Sequence, residues 1–111
     1  MTTKEIADMI AEVGIPFAYY QFEEGTAEPC PFITFYYSYD NDVLADNSNY
    51  VKVANLVIEL YTDYKDFTLE NKLEGILNEH EIVYSKNESY IDSEKMLMQV
   101  YESEVIINGS E

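Results

Sequence analysis

The run from Tyr50 to Thr62, YVKVANLVIELYT, sets Ala54, Leu56, Ile58 and Leu60 on one side and Asn55, Val57, Glu59 and Tyr61 on the other. A period of two places successive side chains on opposite faces of a pleated strand, so the even side is the buried one. A strand this long has no stability alone. It needs partner strands and a layer to cover its apolar face. That layer follows at once: Thr62 to Lys65 leave the sheet, Asp66 or Thr68 offers a helix cap, and Leu69, Leu73, Ile76, Leu77 and His80 share one helical stripe.

The rest of the chain supplies the partners. Thr2 with Glu5 forms a capping-box pattern, and Ile6, Met9, Ile10 and Val13 recur at helical spacing until Gly14 supplies a left-handed stop. Ile15-Pro16 forces extended backbone, and FAYYQF (17–22) continues as an edge strand. FITFYYSYD (32–40) carries aromatic and β-branched residues on both faces and reads as an inner strand. Between these lies the turn-rich loop 23–31, and DNDVLADNSN (40–49) reads as a projecting loop because Asp and Asn compete for local backbone bonds. Extended structure restarts at Ile82 to Tyr84, a polar turn falls in SKNES or IDSEK, and MLMQVYESEVII (96–107) is a final long strand. The expected architecture is a single α+β domain over residues 1–111, in the order α-β-β-β-α-β-β: a mostly antiparallel sheet of about five strands with two helices on one face.

Composition narrows the chemistry. Lysine and arginine together number 6 against 22 acidic residues, a formal net charge of −16, and every one of the six is lysine. Such a chain repels polyanions and lacks the planar fork that suits phosphates and guanine edges, so specific nucleic-acid binding is disfavoured. Cys30 is the only cysteine, which rules out an intramolecular disulfide and fits a reducing compartment. Charged residues interrupt the first turns, leaving no signal-peptide core, and no stretch approaches a membrane span. His80 is the sole imidazole and reads as a helix terminus, while Cys30 reads as a structural thiol. Glu59 with Glu102 or Glu104 matches a glycosidase-like pair only in residue type, and alternating Glu on a strand is ordinarily a solvated face. Asp40, Asn41 and Asp42 begin like a calcium loop, but Leu44 and Ala45 stand where a ligand and a glycine are required. No catalytic residue, metal ligand set or cofactor motif is expected.

Surface chemistry is what remains. The tyrosine load falls on strands that already have an apolar core side, and a rigid ring with a polar tip suits interfaces. Tyr36, Val57, Tyr61 and Tyr101 are therefore the expected subunit interface.

The stretches PFITFYYSYDNDVLADNSNY, IELYTD, LENKLEGIL and SEKMLMQVYESEV, with the first helix, resemble in layout the tail terminator (tail completion) proteins of long-flexible-tailed bacteriophages and prophages of Gram-positive bacteria. The resemblance covers nearly the whole chain and carries no catalytic signature. It implies a small α+β subunit that closes into a ring, a hexamer, on the head-proximal end of the tail tube in the virion, ends tube growth and offers a surface to the head connector or head-closure protein. It also implies assembly in the bacterial host cytoplasm and DNA passing through the ring without specific binding, which an acidic lumen favours. Contacts with the major tail tube protein or connector would lie on Asp40, Asp42, Val43, Leu44 and Asp46, with the loop 23–29 beside them. Six copies bring together a formal charge of about −96, six times −16, which opposes assembly at low ionic strength. Two alternatives share the acidic, site-free character: another neck protein, either head closure or head-tail adaptor, and an acidic DNA mimic that inhibits a host enzyme.

Overall fold

The computed structural model describes residues 1–21, 29–38 and 52–107. Its elements are α1 (Thr3–Ala11), β1 (Phe17–Tyr19), β2 (Phe32–Ser38), β3 (Lys52–Thr62), α2 (Phe67–Glu79), β4 (Ser85–Ile91) and β5 (Met96–Ile107). The five strands form one sheet in the order β1-β2-β3-β5-β4. β1 runs parallel to β2 and every other neighbouring pair is antiparallel. The fold is α+β with the expected element order.

Each helix begins where its side chains close the orphan backbone donors. The Glu5 N–H donates to Thr2 Oγ1 at 3.1 Å, and the Thr2 N–H donates to Glu5 Oε1 at 2.9 Å. Asp66 caps α2, its Oδ1 accepting from the Leu69 N–H at 3.0 Å. Gly14, at φ +88°, turns the chain out of α1 in a conformation that a side chain would strain. The apolar stripes Ile6, Met9, Ile10 and Leu73, Ile76, Leu77 then bury against Ile33, Phe35, Ala54, Leu56, Ile58 and Leu60. Full burial of each large aliphatic side chain contributes roughly 1.5–3 kcal/mol.

β3 and β4 are both antiparallel to β5, so the β3-α2-β4 connection passes over β5 in a split β-α-β arrangement. The odd residues of β5 therefore face α2.

Two expectations change and one alternative is decided. The polar turn falls in IDSEK, at 92–95, as one of the two expected placements had it, while SKNES lies in β4. β4 is a sheet edge that is exposed nearly throughout, so nothing required it to alternate. Ile82 is buried in the core, but the strand begins only at Ser85. β1 is shorter than FAYYQF, because Tyr20 takes φ 73° and leaves the strand while its N–H donates to the Phe35 carbonyl at 2.7 Å. The loop 40–49, with Asp40, Asp42, Val43, Leu44 and Asp46, lies outside the described residues, as do residues 22–28.

Candidate functional site

Both helices pack on one side of the sheet, and the opposite side is the candidate site. Strand register arranges it in rows. One row runs Phe32, Tyr61, Met98; the next Thr34, Glu59, Val100; the next Tyr36, Val57, Glu102; and the last Ser38, Asn55, Glu104. Phe32 and Tyr61 stack at 4.7 Å between ring centroids, and Tyr20 brings its ring to 5.7 Å from Tyr36. Val57 is 4% exposed although no helix covers it, because its cross-strand neighbours Tyr36 and Glu102 flank it. The face is thus a half-closed aromatic and aliphatic band.

A carboxylate organises the centre of that band. Glu59 Oε1 accepts from Thr34 Oγ1 at 2.9 Å and from the Tyr61 hydroxyl at 2.8 Å. Burial, followed by the hydrogen bond to Glu59, pushes the Tyr61 phenol up to about 12. Burial also raises the Tyr36 phenol, with the charges of Glu59 and Glu102 adding to it. Both rings stay neutral donors throughout the physiological range. Among the described residues, the register places Glu59, Glu102 and Glu104 on this face and no lysine.

Of the four expected interface residues, the sheet brings together Tyr36, Val57 and Tyr61. Tyr101 belongs to the other side and is corrected accordingly. It is 1% exposed, its partner in the register is the core residue Ile58, and its hydroxyl donates to Glu74 Oε2 on α2 at 2.8 Å. Burial and the Glu74 bond together push its phenol far up.

Around Tyr101 lies a polar network that the sequence reading missed. Glu70 is 2% exposed; its Oε1 accepts from Lys65 at 3.0 Å and Lys86 at 2.8 Å, and its Oε2 from Gln99 at 3.1 Å. Each donor also holds a second carboxylate: Lys65 and Gln99 reach Glu88 at 2.6 and 2.7 Å, and Lys86 reaches Glu74 at 2.6 Å. Burial works against the charged forms of Lys86 and Glu74, but the bonds between and around them outweigh it, raising the ammonium and lowering the carboxyl. The spacing Glu70, Leu73, Leu77 was the available signal, since it puts the carboxylate on the buried stripe.

The residues weighed for chemistry are engaged separately. His80 caps α2 and sets Nε2 3.2 Å from Glu12 Oε2 on α1. Burial raises the Cys30 thiol, and the nearby Asp63 carboxylate raises it further, so the unreactive thiol form is favoured. Glu59 pairs with Val100 across the strands rather than with Glu102 or Glu104. Among the described residues no group of three or more His, Cys, Asp or Glu is placed to hold a metal ion, and no helix is long and apolar enough to cross a membrane.

No protein-family model matches the chain, and no curated protein matches it.

Proposed function

We propose that this chain is a structural protein of a long-tailed phage or prophage, acting as a ring subunit that caps the head-proximal end of the tail tube, ends elongation and provides the head-joining surface. The observation that carries the reading is the helix-free sheet face, where Phe32, Tyr36, Val57, Tyr61, Met98 and Val100 form a continuous band with neutral tyrosine hydroxyls at its centre. Large, low-entropy aromatic area beside satisfied polar groups suits an assembly interface. The resemblance in sequence layout supplies the particular assembly, and the α+β order agrees with the subunit it implies.

In this reading Tyr36, Val57 and Tyr61 form the seam between neighbouring subunits. In a closed ring the seam is heterologous, so this face meets a different surface of the neighbouring subunit. Glu59 binds its hydroxyl donors within the subunit, so its charge is partly offset before assembly. Negative-stain electron microscopy of the purified protein tests the proposal. Closed annular particles with an open lumen are expected; isolated particles lacking a lumen at every protein and salt concentration refute it.

A further inference from the structure

β5 is longer than the strand beside it. Its pairing with β3 runs to Ile107 opposite Lys52, whereas its pairing with β4 stops at Glu102 opposite Ser85. From Ser103 to Ile107, β5 therefore has a strand on one side only, among the described residues. The Met1 ammonium donates to the Ile106 carbonyl at 2.9 Å, holding the outward acceptor that an added strand would take, so an incoming segment displaces this single contact. In a strand, the N–H and C=O of one residue point the same way, so Ile106, and with it Glu104, turn their backbone groups away from β3. An edge of this kind is a template for another strand.

The gap is also shaped. It opens into a groove of about 530 Å³ lined by Asn55, Val83, Tyr84, Ser85, Glu102 and Glu104 among others. Val83, at its rim, is 87% exposed, and Ile106 is 54% exposed. Glu102 and Glu104 project on the helix-free side, and among the described residues no strand lysine shares that side.

We propose that an extended segment of a different protein, carrying lysine or arginine at alternate positions, adds to the sheet here. It lies in line with β4, antiparallel to β5 over Ser103–Ile107, with its cations on the helix-free side, one opposite Glu104 and within diagonal reach of Glu102, and their methylene stems over Val83 and Ile106. Charge selects a foreign segment over a second copy: two copies together carry −32, twice −16, and among the described residues the strands place no lysine on this face to receive the other's carboxylates.

The probe is a short blocked peptide alternating lysine and valine, added to the intact isotope-labelled protein, with amide hydrogen exchange and chemical shifts read by NMR. Slowed exchange at the Glu104 and Ile106 N–H groups is expected, with affinity falling roughly tenfold in Glu102→Lys and in Glu104→Lys, both exposed substitutions. A control peptide of equal charge, N-methylated at alternate residues, loses the main-chain bonds and must fail to slow them. Equal binding of that control overturns the proposal, because it leaves only diffuse attraction to a polyanionic chain. Absence of binding overturns it too, as does protection of the same amides in the protein alone when light scattering reports a dimer, which gives the edge to a second copy.

Discussion

Replacing Tyr101 by Phe separates a core role from an interface role at one atom. The hydroxyl donates to Glu74 at 2.8 Å from a ring that is 1% exposed, so water cannot replace the lost bond at the ring. Hydrogen bonds to charged groups contribute about 1.5–3 kcal/mol. Glu74 keeps Lys86 at 2.6 Å and is itself partly open to solvent, which places the cost near the lower end, about 1.5–2 kcal/mol. For a chain of this size that corresponds to a fall in melting temperature of roughly 5–10 °C. Urea unfolding followed by circular dichroism gives the free energy, and light scattering on the same samples gives the mass. The account predicts a lower midpoint with unchanged slope and an unchanged assembly state. A stability loss below about 0.5 kcal/mol, or a change of mass with stability intact, refutes the placement of Tyr101 under α2.

Glu70→Ala removes a buried acceptor from three donors, but each keeps a second carboxylate; a loss of about 2–3 kcal/mol is expected by denaturant titration, below the 3–5 typical of a stranded buried charge. Thr2→Ala opens the capping box and should cost about 1 kcal/mol in the same assay, with the mass unaffected. The Glu74 carboxyl lies below its ordinary 4.5 in the folded chain, so its contribution is present above that pH and is lost as pH falls through the lowered value. Lys86 is raised above 10.5, so its share is present below that pH and is lost as pH rises through the raised value. The stability difference between wild type and Glu74→Gln should accordingly be flat near neutrality and shrink below pH 4.5; a difference that widens with acid would contradict the network.

The fold was legible where one pattern dominates. Thr2 and Glu5 marked the start of α1, and the even residues of β3 marked the core. The α2 stripe identified the covering layer. Tyr101 was misplaced because β5 mixes polar and apolar residues on both faces: Gln99 and Ser103 are buried beside Tyr101 and Val105, while Ile106 is exposed. Alternation gave β5 no clear inward side, and only the crossover of α2 above it decides the matter. Glu70 and Gln99 are buried for the same reason, since the edge strand β4 offers Lys86 and Glu88, rather than apolar side chains, beneath α2. SKNES looked like a turn because an edge strand exposed along nearly its whole length carries no burial pattern. The parallel β1–β2 pair had no sequence signature either, as Phe17 and Tyr19 would face the core in either direction. Tyr36, Val57 and Tyr61 were recognisable as one face because strict alternation and direct register coincide there.

The central claim is that the helix-free face drives closure into a ring, and its most direct test is mass in solution by light scattering from low to high salt. Carboxylate repulsion is screened within about 10 Å at 0.1 M salt, so a discrete species near six times 12.9 kDa should strengthen as salt rises, and Tyr61→Arg should abolish it while the chain stays folded. A monomer at every salt concentration, or a hexamer indifferent to Tyr61→Arg, would contradict the account.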